Sequence, residues 1–249
     1  MGEIAETHGS YWVRDHVIGA DTFGLVFLAK NNSNPELPSE IPVKSFSVSF
    51  SQPLQFEKEL PCNLGGGWCS HVLRKCYGDE ITITKSGGKV SEVRRYTRDI
   101  VHGLCYLHCN ARYIHCNISS SSILLSPIGI HGALMAKIAN LGSAKKLTSQ
   151  VSGCDFRGSE IYMSPELTKD GYLDWPANVW ALGCVVSEML TGSRFLLDTR
   201  LRWDYVCEQP KVPDELSRAG KDFLRRCFVT SPYKRTPTWL LIKHPFVPF

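Results

Sequence analysis

The chain lacks any apolar run near the ~18 residues that a membrane-crossing helix requires, and no block of like charge interrupts its 249 residues. Its N-terminus, Met1-Gly2-Glu3-Ile4-Ala5-Glu6, has no cationic start followed by an apolar stretch, so no secretory signal is expected. Glu6 stands where a myristoylation signal would carry Ser or Thr, which argues against a lipid anchor. Nucleic acid is not an expected partner either. The net charge is only +4, and Arg94-Arg95 and Arg225-Arg226 are short pairs suited to solvated helix faces. No internal repeat or low-complexity tract is present. These absences together predict a soluble protein of the cytoplasm or nucleus, with no membrane partner.

Paired metal-ligand spacing is also missing. Ten cysteines are present, and in an intracellular chain they read as reduced thiols. Cys105, His108, Cys109, His115 and Cys116 lie close together, but their spacing matches no C-x-x-C and H-x-x-x-H arrangement of a zinc site. A helix over Val101–Cys109 carrying small buried thiols is the simpler expectation.

What the chain does have is apolar content of 43%, enough for one large core or two lobes sharing a cleft. Strand patterns come first. Trp12–Ile18 and Leu25–Ala29 flank the turn Gly19-Ala20-Asp21-Thr22-Phe23-Gly24, and a third strand is predicted over Ile41–Val48. A short charged helix is predicted near residues 53–60 and further strands near 72–77 and 80–84. From Ser91 onward apolar residues recur at three- and four-residue intervals, and Pro176–Thr191 is apolar enough to be a buried central helix. The plan is α+β: a small β-rich part, then a larger helical one.

Several separated motifs follow in order. They are Lys44 on the third strand, His115-Cys116-Asn117-Ile118-Ser119-Ser120-Ser121-Ser122, Asn140-Leu141-Gly142, Gly158–Glu166, Asn178–Cys184, Gly220–Leu224 and Lys243–Val247. Together they resemble the protein kinase superfamily over nearly the whole chain, and most closely plant mitogen-activated protein kinase kinase kinases. The resemblance implies a bilobal fold over residues 9–249, with a small lobe of about 9–84 and a helical lobe of about 85–249. Between the strand ending near Tyr77 and the helix beginning near Ser91 only Gly78 to Val90 remain, so the hinge region is expected to be truncated.

The resemblance also assigns roles. Gly19, Gly24 and Val26 match the glycine-rich loop, with Asp21 in place of its middle glycine. Lys44 and Glu57 match the lysine–glutamate pair that steadies ATP, although such a pair braces strand against helix equally well. An active kinase carries His-Arg-Asp-Leu-Lys-x-x-Asn and Asp-Phe-Gly. Here Asn117 stands at the catalytic base, Ser119 at the loop lysine, and Ser122 and Asn140 at the Mg²⁺ ligands. Asn cannot take a proton at neutral pH, and Mg²⁺ prefers anionic oxygen. Glu166 and Arg235 are expected to form a structural ion pair, and Asn178 to brace the catalytic loop.

Three readings follow. One is a pseudokinase acting as scaffold or allosteric regulator among kinases of a mitogen-activated cascade. Another is a weakly active ATP-dependent serine/threonine kinase with unconventional use of metal. The last is a poorly folding product of a decaying gene copy.

Overall fold

In the computed structural model the β-branched and aromatic residues of the N-terminal part form a four-stranded antiparallel sheet. Its strands, in sequence and spatial order, are β1 (His8–Gly9), β2 (Trp12–Ala20), β3 (Gly24–Asn31) and β4 (Glu40–Phe46). The structure describes residues 8–9, 12–20, 24–31, 39–46, 69–71, 81–82, 89–128, 133–147, 160–192, 210, 212, 214 and 216–248. The expected helix at 53–60, the strand near 72–77, and Asp21 and Glu57 lie outside these residues.

β2 and β3 run longer than their apolar cores suggested, so Gly19 and Gly24 fall inside strands rather than in the turn. The register shifts on both sides of Val17, an irregularity that lets a strand twist more sharply. β5 (Ile81–Thr82) occupies the middle of the segment expected as a strand. It pairs with β7 (Ile123–Ile128), Ile81 opposite Leu125 and Thr82 opposite Leu124, and β8 (Ala133–Ile138) closes that sheet on the other side. A third small sheet joins β6 (Tyr113–Ile114) to β9 (Lys145–Lys146).

The helices follow the periodicity. α1 (Val90–Cys105) buries Val93, Ile100, Val101 and Leu104, with Glu92 in its positive first turn. It does not end as an α-helix: Tyr106–Ala111 widen into π-helical turns, closed by Arg112 at φ +62°. α2 (Pro165–Asp170) is short. α3 (Trp175–Thr191) begins where the Asp174 carboxylate accepts from the Trp175 N–H at 2.6 Å, and ends at Gly192 with φ +67°. Every residue from Pro176 to Met189 is buried, as expected of a helix apolar on all sides.

α4 (Arg218–Cys227) packs on α3 where Gly183 permits it. A Cβ at Gly183 would lie 2.8 Å from both Cys227 Cβ and Phe228 Cε1. Trp180 meets Phe228 edge-on at 5.2 Å, and Phe223, Leu224, Leu241 and Phe246 complete that side of the core. The helix expected near 237–242 is a single turn, α5 (Thr238–Leu241). Arg94 on α1 ties down the C-terminal residues by donating to the carbonyls of Phe246 (3.0 Å) and Pro245 (2.9 Å).

One buried ion pair is centred on Arg235. Its Nη1 donates to Glu166 Oε1 at 2.6 Å and to the Pro176 carbonyl at 2.8 Å, and its Nη2 to Glu166 Oε2 at 2.8 Å. Nε donates to the Val229 carbonyl at 2.9 Å, and the guanidinium lies 5.1 Å above the Trp180 ring. Arg235 is 1% exposed and Glu166 6%. Removing one partner of such a pair leaves the other charge buried without its counterion. Glu166→Ala is therefore expected to lower the unfolding free energy by about 3–5 kcal/mol, read as a fall in the denaturant midpoint. A loss under about 1 kcal/mol would place the pair with exposed ion pairs instead.

Candidate active-site region

β6 delivers the chain into the loop that starts at His115, and the loop is held by its own polar groups. His115 is fully buried. Its Nε2–H donates to the Ala139 carbonyl at 2.7 Å, and its Nδ1 accepts from the Asn117 N–H at 3.2 Å. These two bonds together require the neutral ring with the proton on Nε2. Cys116 adopts φ +65° and points its thiol back to the Ile114 carbonyl at 3.3 Å.

Ser119–Ser122 fold back on themselves. The Ser122 hydroxyl accepts from the Ser119 N–H at 2.9 Å and donates to the Ser119 carbonyl at 2.8 Å. The Ser119 and Ser121 hydroxyls share a hydrogen bond of 2.9 Å. The Ala139 N–H donates to the Ser122 carbonyl at 2.8 Å, which brings the second motif alongside. Asn140 follows at φ +61°, ψ +48°, the left-handed region that asparagine tolerates better than most residues. Its Nδ2 donates to the Ser121 carbonyl at 3.3 Å. Ser119, Ser121, Ser122 and Asn140 are thus joined in one cluster of neutral donors and acceptors, with Asn117 tied to it through His115.

Asn178, in the first turns of α3, reaches the loop from below. Its Oδ1 accepts from the His115 N–H at 3.0 Å and from His108 Nε2 at 3.2 Å. His108 lies in the π-helical turns after α1, and its Nδ1 is 3.4 Å from the Thr238 hydroxyl. Burial drives its pKa down from the usual 6.5 to about 4, against the opposing effects of the Asn178 bond and of Asp174. The Cys/His-rich segment is accordingly divided among separate partners: His108 to Asn178, His115 to Ala139 and Cys116 to Ile114. Among the described residues no group of three potential ligands is placed to hold a metal.

Sequence reasoning weighed His108 only as a metal ligand and assigned no role to Ser120, Tyr162 or Glu188. The Ser120 hydroxyl meets the Tyr162 phenol at 2.8 Å, and the Tyr162 O–H donates to the Glu188 carboxylate at 2.9–3.0 Å. This network fastens the loop both to α3 and to the turn before α2. Burial, with the carboxylate adding to it, pushes the Tyr162 phenol up to about 12. Tyr162 and Glu188 are 26 residues apart and Ser120 and Tyr162 are 42 apart, so no local pattern could have joined them. A small pocket below the loop is lined by Asn117, Tyr162, Ser164, Leu173, Ala177 and Asn178, with Cys116 in its wall.

On the N-terminal sheet, Gly19 lies opposite Val26, and Val26 opposite Lys44, so the three form one row across β2, β3 and β4. Gly24 pairs with Phe46 at the end of the same ladder.

The depressed His108 value fixes a direction. Above pH 6.5 both folded and unfolded rings are neutral; as pH falls from there toward 4 only the unfolded state gains a proton, so stability is lost. About 3 kcal/mol is at stake for a shift of this size. Asn178→Asp puts a carboxylate against His108 Nε2 and is expected to raise the His108 midpoint and shrink that acid-sensitive window. Nuclear magnetic resonance titration of the His108 ring checks this; an unmoved midpoint would show that the Asn178 contact does not govern the ring.

Comparison with known proteins identifies the frame. The protein kinase domain family matches residues 70–247. Mitogen-activated protein kinase kinase kinase 20 of Arabidopsis thaliana is 33% identical over 95% of this chain and 78% of its own length. Mitogen-activated protein kinase kinase kinase 17 of the same plant is 29% identical over 95% and 69%, and kinase kinase kinase 18 is 34% identical over 66% and 50%. A small strand-rich N-terminal part and a helical C-terminal part complete the agreement. The chain belongs to the protein kinase family and is of the mitogen-activated protein kinase kinase kinase type.

Proposed function

We propose that this chain is a pseudokinase: a kinase-fold protein without efficient phosphoryl transfer, acting through its surface as a scaffold or allosteric regulator. Its proposed partners are other kinases of a mitogen-activated cascade, a reading supported by what its relatives are named for. The observation that carries the proposal is the closed Ser119–Ser122 loop. The Ser122 hydroxyl both accepts and donates within that loop, and the Asn140 amide is turned to the Ser121 carbonyl.

Kinases of this family use ATP with Mg²⁺, and the metal offsets the charge of the transferring phosphoryl group. The residues at the metal positions do not fit that ion. Mg²⁺ takes carboxylate and phosphate oxygens at near-ideal octahedral geometry. A hydroxyl engaged on both sides and an amide whose Nδ2 is turned to a backbone carbonyl bring no negative charge to the ion. At Asn117 the side chain cannot accept a substrate proton, a loss of ~10²–10⁴ in rate on its own. Ser119 has no positive charge with which to stabilise the transferring group.

One observation favours the second reading, a slow kinase. Gly19, Val26 and Lys44 lie in one row of the N-terminal sheet, the arrangement expected of a strand lysine below a nucleotide loop. Nucleotide binding and phosphoryl transfer are therefore measured separately. With Mg²⁺ or Mn²⁺, the wild-type chain is expected to transfer no phosphate to a generic basic protein above the level of Lys44→Ala. Turnover that Lys44→Ala abolishes would sink the pseudokinase reading. A thermal shift with ATP, compared with and without the divalent ion, reads binding alone and is expected to be independent of the metal.

A further inference from the structure

Away from the catalytic-loop cluster, residues 69–71 are fastened to the helical part by backbone and side chain together. The His71 carbonyl accepts from the Ile138 N–H at 2.8 Å, at the end of β8. Gly103 on α1 makes room for this approach: a Cβ there would lie 2.9 Å from the same carbonyl and 2.8 Å from Ile138 Cδ1. The His71 ring stacks on that of His102, one residue before Gly103, with centroids 5.2 Å apart and planes inclined by 24°.

The groups around the stacked rings favour their neutral forms. His71 Nδ1 lies 3.6 Å from the Cys69 thiol and 3.4 Å from the Ser70 hydroxyl, both of which can donate to an unprotonated nitrogen. His71 Nε2 is 3.7 Å from Asp99 Oδ1. That carboxylate is already engaged: Arg98 donates to Oδ1 at 3.1 and 2.9 Å, and the Ala136 N–H donates to Oδ2 at 3.1 Å. Arg98 and Lys137 add positive charge toward His71, and Arg98 does so toward His102. Protonating both rings would stack two cations about 5 Å apart in a half-buried site.

We propose that this contact is a proton-sensitive latch. The neutral pair His71 and His102 holds residues 69–71 against α1 and β8, and proton uptake by the pair releases them. This goes beyond the pseudokinase reading and does not depend on it.

The direction follows from the environment. Burial is the largest influence on both rings and lowers both below the usual 6.5, with Asp99 opposing it. A folded value below the free value means that the latch is fully closed above pH 6.5 and weakens as pH falls below it. Two groups with a free value near 6.5 give an upper limit of about 100-fold in the opening constant between pH 7.5 and 5.5.

The test is hydrogen exchange on the full chain at pH 7.5 and 5.5, corrected for intrinsic exchange. The Ile138 amide reports the latch, and the Val185 amide within α3 reports global opening, including any acid effect of His108. Ile138 is expected to exchange faster than Val185 at both pH values, as a local opening does, and to lose up to about 100-fold protection between pH 7.5 and 5.5. Equal protection at the two amides, which would assign Ile138 to the global opening, or protection of Ile138 that does not change with pH, would overturn the proposal. In His102→Gln the loss at Ile138 is expected to be smaller than in the wild-type chain and no more than about 10-fold, the limit for one proton; an unchanged loss would overturn the role of the pair. Ring titrations of His71 and His102 in the wild-type chain need no variant. Midpoints below the free-histidine range support the latch, and midpoints at or above it overturn the proposal.

Discussion

The bidentate bond between Arg235 and Glu166 is the constraint on which the helical part depends. Its geometry allows little slack. The guanidinium meets a carboxylate from α2, the carbonyl of Pro176 at the start of α3, and the Val229 carbonyl, while its face rests on Trp180. Two buried charges are costly to desolvate, and the pair itself need not be stabilising against an apolar replacement. Its consequence is positional. By holding Pro176 it fixes the first turn of α3, and with it Asn178, whose oxygen holds both His115 and His108. His115 in turn holds Ala139, and the Ala139 N–H holds Ser122. A single buried arginine is thereby linked through four hydrogen-bonded steps to the loop where chemistry would occur.

That chain of contacts is built from shape and hydrogen-bonding capacity, and most of it needs no charge. An asparagine oxygen accepts two hydrogen bonds at Asn178 as a carboxylate oxygen would. What changes is the ring beside it. Burial, with a neutral amide at the Asn178 contact and Asp174 only partly opposing it, keeps His108 neutral and brings its pKa down to about 4. His71 and His102 are lowered by the same cause, burial. Three histidines, His102 and His108 in the helical part and His71 packed against it, are thus favoured in their neutral forms, and acid acts on all three in the same direction.

The parts of this structure that were legible in the sequence are those governed by local rules. The strongly apolar segment from Pro176 announces a buried helix, and Asp174 and Gly192 bound it for reasons visible in a few residues. Glu166 and Arg235 could be paired only through the resemblance to a family, because 69 residues separate them. Other features were out of reach. A π-helical widening after Cys105 has no periodicity signal that distinguishes it from one more α-turn. The Ser120–Tyr162–Glu188 network needs three elements already in place. Ser122 read as a weak metal ligand on residue type alone; its hydroxyl is engaged on both sides, a fact of backbone geometry rather than of sequence.

Asn140 and Asn178, which the resemblance sets at aspartate positions, differ in how deeply the loop has adapted to them. At Asn178 only the oxygen is used, and both partners are donors. An aspartate there would meet the same donors and keep the same bonds. Asn140 is the opposite case, because it contributes its Nδ2 donor to the Ser121 carbonyl. An aspartate in the same rotamer would set a carboxylate oxygen against a carbonyl oxygen, two acceptors with no proton between them, and the side chain would have to turn away. Ser122 adds to this, since freeing its hydroxyl for a metal would break bonds to both the N–H and the carbonyl of Ser119. Neutrality at Asn140 is therefore written into the hydrogen bonds of the loop, whereas at Asn178 it is a change of charge within an unchanged geometry. On the proposed pseudokinase reading, an aspartate at position 140 alone would therefore make no metal site while the Ser119–Ser122 turn keeps its own hydrogen bonds.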